Sequence, residues 1–475
     1  MREKKMFSFF IVLLMFCNLL TGISLFHTVS GADFPTGPGT RLLHTEGAYL
    51  VDDQGTQIHL HGVCKNDFID NPDGAFHGPG RTWEATVRYN LEMIKNWGCN
   101  FLALAVECVQ YLNNVDGVRD NYKNLVRWAQ EYSIYVGIGL FGYNNSGWGT
   151  DVFAGPWAGN AAAMAIIADK TGFMDFWNNV SSDFKDAPNV IYGVVAEVDY
   201  KMGWPQFNEY YQTVVQAVQH LRAMGDNHVF FYHEGSCMAP VFFTTSNASE
   251  GEIVHPLHNE TTNIVYSAHA YRYHGTFGNN PDNFTGLGGG IQLQEGVYSL
   301  DADTPSGNGL ETALKFHGYY KIMDTYKVPI LMWEGGAWIG SATANVTQDY
   351  RNRELTCYAN LLRLFNVLNI SYAAFWWKGY PFTSRGWQLI NHDTAHDDAI
   401  KPTVWGQVLI DAIHSSPFET EPTPTASPSP PAGGLATEIY IGTGVVVVTC
   451  LIVIALFLRR REKTRTFQFG NVSEN

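Results

Sequence analysis

The stretch Pro329-Ile-Leu-Met-Trp-Glu334 is an apolar run of strand length that ends in a carboxylate and precedes Gly335 and Gly336. A second run, Val190-Ile-Tyr-Gly-Val-Val-Ala-Glu197, has the same form. Continuous apolar runs of this length are typical of parallel strands that are buried on both faces. An apolar strand that ends in a glutamate is costly unless that carboxylate is solvated or functional. The two stretches therefore indicate a parallel sheet with carboxylates at the carboxyl ends of its strands.

Around these two stretches, eight short β-rich runs alternate with amphipathic helical segments, as in parallel sheets with crossover helices. Eight strands favour a closed (β/α)8 TIM barrel over an open doubly wound sheet, and no G-x-G-x-x-G turn follows the first strand. Leu42–Asp52 is predicted to form a hairpin that caps the barrel floor. The predicted strands are Ile58–Cys64, Phe101–Val106, Tyr135–Phe141, Val190–Glu197, His228–His233, Ile264–His269, Pro329–Glu334 and Tyr372–Trp377. The predicted helices are Glu84–Trp97, Tyr122–Tyr132, Gly172–Phe184, Phe207–Met224, Leu310–Tyr326, Tyr350–Leu368 and Val404–Ile413.

The N-terminus has the composition of an export signal. Arg2, Lys4 and Lys5 precede an apolar run from Met6 to Leu25, and small residues stand just before Ala32. We predict that residues 1–31 are a signal peptide that is cleaved on export. An uncleaved N-terminal anchor is the alternative, because the apolar run is long for a signal.

The C-terminal region is predicted to anchor the protein in a membrane. Ile439–Leu458 carries no charge, and as a helix it is long enough to cross about 30 Å of hydrocarbon. Basic residues follow at once, so the positive-inside rule places the tail 459–475 in the cytoplasm and the preceding chain outside. Residues 418–434, rich in Pro, Thr and Ser, are predicted to form an extended stalk. Residues 32–417 have the length of one α/β barrel domain.

Charge and cysteine content narrow the classes of ligand. A net charge of −15 argues against nucleic acid or anionic lipid as the ligand of the domain and fits a neutral polysaccharide. The cysteines show no metal-type spacing and H-E-x-x-H is absent, so we predict no metal. We also expect no cofactor, and we infer no obligate protein partner. Several Asn-x-Ser/Thr sequons in the exported part predict a glycoprotein. They begin at Asn144, Asn179, Asn247, Asn259, Asn283, Asn345 and Asn369.

Glu197 and Glu334 are the candidate catalytic pair. Function in a (β/α)8 barrel lies at the carboxyl ends of the strands, where two such glutamates can face each other across the mouth. Glycoside hydrolysis needs one carboxyl to protonate the leaving oxygen and another to attack the anomeric carbon. In retaining enzymes the two carboxyls lie about 5–5.5 Å apart. A structural salt bridge at the rim is the alternative for Glu334, and Asp199 is a rival to Glu197.

Over about residues 42–415 the chain resembles glycoside hydrolase family 5, the cellulase-like group of retaining (β/α)8 barrels. The resemblance rests on Leu60-His61-Gly62-Val63, Gly98-Cys99-Asn100, Glu197, His269-x-Tyr271, Trp333-Glu334-Gly335 and Trp376. It implies that Glu197 is the acid/base and Glu334 the nucleophile. It also implies that His269 and Tyr271 orient the nucleophile and the sugar, and that Trp376 forms a floor on which the sugar stacks.

Two further residues are predicted to bind the substrate. His61 belongs to the motif on strand one, and Trp338 lies in the loop after strand seven, where its flat ring can stack on a pyranose face. Trp376 and Trp377 are neighbours on one strand and must point to opposite faces. We therefore place Trp376 in the site and Trp377 in the core.

Three supporting positions depart from the family pattern. Ala196 stands where the family has the Asn that bonds the sugar 2-hydroxyl, and Ala103 stands where it has an Arg late in strand two. Strand three is followed by no His. Loss of the 2-hydroxyl contact weakens binding of the transition state, because that bond strengthens as the oxocarbenium ion forms.

The resemblance and the topology together predict a cell-surface retaining hydrolase of β-linked polysaccharide or glycan. A second hypothesis is a non-catalytic carbohydrate-binding or adhesion barrel that kept the fold. A third is a surface-layer protein whose barrel has no ligand.

Overall fold

The computed structural model describes residues 40–65, 82–141, 170–194, 204–233, 240–245, 248–270, 310–337, 339, 347–377, 388–390 and 400–417. The chain divides into two units, Met1–Glu419 and Thr420–Asn475, and every described residue belongs to the first. No helix in these described ranges is long and apolar enough to cross a membrane. The predicted signal, stalk, transmembrane segment and tail all lie outside them.

Eight parallel strands close into a barrel, which confirms the predicted architecture. Each barrel strand pairs with the next one along the chain, and the last pairs with the first. A separate antiparallel hairpin precedes them. The hairpin strands are β1 (Leu43–Glu46) and β2 (Tyr49–Asp52). The barrel strands are β3 (His61–Cys64), β4 (Phe101–Glu107), β5 (Tyr135–Phe141), β6 (Val190–Val194), β7 (Phe230–Tyr232), β8 (Ile264–Ala270), β9 (Ile330–Gly335) and β10 (Ser371–Ala374).

The hairpin covers the floor of the barrel, as predicted. Leu43 and Leu50 pack into the same buried cluster as the residues inside the barrel. The hydroxyl of Tyr135, the first residue of β5, donates a hydrogen bond of 3.0 Å to the carbonyl of Arg41. Since Tyr135 lies at the amino end of its strand, the hairpin closes the end of the barrel opposite the mouth.

Helices surround the barrel, and threonine side chains begin three of them. The side chains of Thr82, Thr347 and Thr403 each accept a hydrogen bond from the backbone N–H three residues further on. Such N-caps satisfy one of the backbone donors that a helix start leaves without a partner. The helices are α1 (Trp83–Asn96), α2 (Cys108–Asn113), α3 (Val115–Glu131), α4 (Lys170–Phe184), α5 (Trp204–Ala223), α6 (Leu310–Phe316), α7 (Tyr319–Lys321), α8 (Gln348–Leu368) and α9 (Val404–His414).

The prediction of one continuous helix over Leu310–Tyr326 is wrong. The segment breaks at Gly318, whose φ of 84° is left-handed, and α7 then runs into a π-helical turn at Ile322–Tyr326. A Cβ at Gly318 would stand 2.4 Å from the ring of Phe243. Only a glycine therefore lets the chain turn against that ring.

Alternation along the strands produces two separate cores. Residues that point into the barrel form one buried cluster, and residues that point outward pack with the helices into a larger cluster rich in aromatic rings. In both, the strands are apolar on each face, as parallel barrel strands must be. The residues of the barrel strands in the inner cluster are Cys64, Phe101, Ala103, Tyr135, Ile191, Phe231, Val265, Leu331, Trp333 and Ala373.

Candidate active site

A β-bulge turns Glu334 into the barrel mouth. Leu331 and Trp333 belong to the inner cluster, so regular alternation would aim Glu334 at the helices. The register between β8 and β9 shifts, however: Ala268 pairs with Met332, but His269 pairs with Glu334. The extra residue in β9 brings Glu334 level with His269, which lies on the inward face two residues beyond Ser267. Glu334 is only 6% exposed.

Trp333, the extra residue of the bulge, fills the barrel beneath Glu334. Its ring lies 4.0 Å, centroid to centroid, from that of Phe231 and 6.1 Å from that of Phe101. On the far side it reaches Gly137, where an added Cβ would stand 2.5 Å from a Trp333 ring carbon. The indole therefore spans the interior and makes a solid apolar floor for the mouth, with Gly137 leaving room for it.

Two histidines line the mouth next to Glu334. His269 belongs to β8, and His233 directly follows β7. Their rings stack with centroids 4.5 Å apart and planes inclined by 28°. Both side chains are buried. The predicted site residue His269 thus lies beside Glu334, and the structure adds His233, which the sequence marked only as the polar end of a strand.

Trp376 and Trp377 point to opposite sides of the barrel wall. Trp376 packs against the inner cluster and stacks on Phe375 with ring centroids 4.6 Å apart. Trp377 lies in the outer cluster, where its Nε1 donates a 2.7 Å hydrogen bond to Oδ1 of Asn90. The Phe375–Trp376 peptide bond is cis. Of the two indoles, only that of Trp376 is on the side of the mouth.

Cys64, the last residue of β3, pairs with Ala103, the third residue of β4, on the inner face. Burial, and then the negative charge of Glu334, raise the pKa of the Cys64 thiol well above its usual value, while Lys65 acts in the opposite direction. The thiol therefore stays protonated at neutral pH and is a poor nucleophile. The fully buried methyl group of Ala103 brings no charge to the position of the family's arginine.

The structure does not bring His61 to the mouth. His61 is the first residue of β3 and pairs with Tyr372, whose ring lies in the outer cluster. The His61 Nε2 is 2.9 Å from the carbonyl of Gly98, which precedes β4. Burial, and after it the nearby His59, lower the pKa of His61 to about 3. Its position is on the helix-facing side at the amino end of the strand, which argues against the predicted contact with substrate.

Three of the predicted site residues, Glu197, Tyr271 and Trp338, lie outside the described residues. Within the described ranges, no group of three His, Cys, Asp or Glu side chains is placed to hold a metal ion. Cys64, Cys99 and Cys357 are buried. What the structure does bring together at the mouth is Glu334, His269 and Trp376.

The fold and these residues define a class of protein: a (β/α)8 barrel with a buried carboxylate, histidines and an indole at the carboxyl ends of its strands. Residues 51–378 match the family model for cellulase (glycosyl hydrolase family 5). The chain therefore belongs to glycosyl hydrolase family 5 and is a glycosyl hydrolase. A comparison with curated protein sequences gave no match.

Solved structures share the fold at low sequence identity. The native β-glucanase SdGluc5_26A from Saccharophagus degradans is 15% identical, with a TM-score of 0.52 over 81% of this chain and 96% of that one. Its complex with cellotetraose is 14% identical, with a TM-score of 0.54 and the same coverage. At this identity the likeness shows the barrel fold alone.

Proposed function

We propose that the protein is a retaining glycoside hydrolase that cleaves β-linked polysaccharide, with Glu334 as nucleophile and Glu197 as acid/base. The observation that carries the proposal is the β-bulge at Trp333, which turns Glu334 away from the helices and into the mouth. Burying a carboxylate there costs free energy, and a catalytic role accounts for that cost. The similar β-glucanase in complex with cellotetraose supports β-glucan as the first substrate to test.

The proposed reaction has two steps that both use Glu334. In the first, the Glu334 carboxylate attacks the anomeric carbon and forms a glycosyl ester, while Glu197 gives its proton to the departing glycosidic oxygen. In the second, Glu197 takes a proton from water, whose oxygen attacks the same carbon and releases Glu334. Net retention follows from two inversions at one carbon.

The rings of the mouth suit this substrate. The indole of Trp376 is on the inner side of the wall and offers a flat apolar face to a pyranose ring. The Trp333 indole packs against Phe231 and Phe101 and fills the barrel below Glu334. Exclusion of water from below strengthens the electrostatic interactions that the transition state uses.

Covalent labelling tests the proposal directly. The exported domain is incubated with 2,4-dinitrophenyl 2-deoxy-2-fluoro-β-cellobioside, digested, and analysed by mass spectrometry. The label is expected on the peptide that contains Glu334. Glu334→Gln is expected to lower kcat on a β-glucan by about a thousandfold or more, because a residue of the covalent machinery is removed. Glu260→Gln is the control, because Glu260 is exposed and distant in sequence from Glu334. This variant is expected to keep full activity.

Two results would contradict the mechanism. A label on another carboxylate would assign the nucleophile elsewhere. Absence of label, together with glycan binding that survives Glu334→Gln, would favour a non-catalytic carbohydrate-binding barrel. Ala103 is the observation that favours this second function, because the structure shows a buried methyl group where the family has its arginine.

We further propose that the barrel is displayed on the outer face of a membrane, held by Ile439–Leu458 through the stalk 418–434. The hydropathy of the segment and the basic residues behind it support this topology. The sequon at Asn259 is exposed and suits a glycan, whereas Asn369 is 7% exposed and ends α8 in a left-handed conformation. Protease treatment of intact cells is expected to release the barrel. Recovery of full-length protein in the soluble fraction would contradict the anchor.

A further inference from the structure

The ends of three neighbouring strands bring three side chains together at the mouth. His233 follows β7, His269 lies near the end of β8, and Glu334 is level with His269 across the bulge. His233 falls on the inward face because it continues the alternation of Val229 and Phe231, both of the inner cluster. In the order of the strands, His269 on β8 lies between His233 and Glu334.

We propose that His233 is a positioning residue for the nucleophile, acting through its stack on His269. The inference rests on the proposed role of Glu334. His233 touches neither the sugar nor the reacting carbon in this proposal; its ring fixes the plane of the His269 ring. His269 in turn holds the Glu334 carboxylate in the orientation from which it attacks.

The backbone of His233 is itself held in place from outside the barrel. The Tyr210 hydroxyl, on α5, donates a 2.9 Å hydrogen bond to the carbonyl of His233. The Tyr210 ring stacks on Tyr232 with centroids 5.9 Å apart and planes inclined by 19°. The end of β7 is therefore fixed to the helix layer, so the His233 ring presents a rigid surface to His269 rather than a loop side chain.

The stack restricts His269 on the side away from Glu334. The ring centroids are 4.5 Å apart, which is contact distance for two nearly parallel rings. Both side chains are completely buried, with exposures of 0% and 1%. Without the His233 ring, a space the size of an imidazole opens beside His269 and lets it rotate. Displacement of a reacting group by about 1 Å costs on the order of a hundredfold in rate.

Inactivation kinetics separate positioning from folding. The probe is 2,4-dinitrophenyl 2-deoxy-2-fluoro-β-cellobioside, which reports attack by the nucleophile alone. For His233→Ala we expect the maximal inactivation rate to fall about ten- to a hundredfold, the range found when outer supports of a site are removed, with the inhibition constant changed less than about threefold. His233→Phe keeps a flat ring in the stack, and we expect it to recover most of the rate.

The outcomes distinguish this inference from the proposed function. If the wild-type protein is labelled at Glu334 but His233→Ala reacts at the wild-type rate, the positioning role is refuted and the nucleophile assignment stands. Equal losses in the Ala and Phe variants would also refute a role through ring stacking. If the wild type takes no label, the proposed function fails and this inference fails with it. Crystal structures of both variants supply a readout without turnover: the His269 ring should turn in His233→Ala and keep its plane in His233→Phe.

Discussion

Acidification from pH 7 to pH 5 should destabilise the barrel through two buried histidines at its floor. Burial lowers the pKa of His59 to about 4 and, with help from the charge of its neighbour, that of His61 to about 3. Each Nε2 lies 2.9 Å from a backbone carbonyl, of Ile370 and of Gly98 respectively, so the neutral ring donates there. The unfolded chain binds protons near pH 6.5, where the folded chain does not.

The sign and the size follow from linkage. A depressed folded pKa means that stability is present above pH 6.5 and is lost as the pH falls toward the folded values. At pH 5 each histidine lies about 1.5 pH units below its unfolded pKa, and one unit corresponds to about 1.4 kcal/mol. The loss is therefore about 2 kcal/mol for each ring, or about 4 kcal/mol for His59 and His61 together.

Urea unfolding at pH 7, 6 and 5 measures this loss in the wild type and in the double variant His59→Gln, His61→Gln. Glutamine offers an N–H donor at the reach of Nε2 but does not titrate. We expect the fall in unfolding free energy between pH 7 and 5 to be about 4 kcal/mol smaller in the double variant. The exposed His414→Asn is the control and should leave the fall unchanged. An equal fall in the wild type and the double variant would refute the assignment.

Two further predictions concern packing around the barrel wall. Gly137→Ala should destabilise the fold by about 1–3 kcal/mol in urea unfolding, because the added Cβ meets the Trp333 ring. Adding Trp333→Phe to the same chain should recover part of that loss. If the unfolding free energies lost in the two single variants simply add in the double variant, the contact is contradicted. Trp377→Phe should lower the unfolding free energy by about 1–3 kcal/mol, since it leaves Oδ1 of the buried Asn90 without its indole donor. If Trp377→Phe causes the same loss in a chain that already carries Asn90→Leu, this hydrogen bond is not the cause.

The local sequence pattern was enough to predict the barrel strands and the carboxylate at the end of one of them. The apolar runs predicted eight strands in order, and they close into a barrel. Trp376 and Trp377 were also predicted to face opposite sides, and they do, although both follow the end of β10. The run that ends at Glu334 marked a carboxylate at a strand end. In each case the information lies within a few neighbouring residues, which is the range over which side-chain periodicity operates.

Local periodicity was not sufficient where longer-range packing decides. Alternation alone aims Glu334 at the helices, and only the register of β9 against β8 turns it inward. The helical pattern over Leu310–Tyr326 continues smoothly, yet the chain breaks at Gly318 beside the ring of Phe243, more than seventy positions away in sequence. His61 sits in the family motif, but its pairing with Tyr372 places it among the helices.

The sequence by itself was enough to predict the successive strands, the candidate carboxylate Glu334 and the membrane segment. Each strand, the carboxylate at a strand end and the apolar segment can be recognised from a contiguous run of residues. Only the tertiary structure decided that Glu334 enters the mouth, that Trp333 forms its floor and that His233 stacks on His269. Those three facts depend on the register and spacing of strands that are distant in the chain. Register is set by how the whole barrel packs, so no single segment contains it.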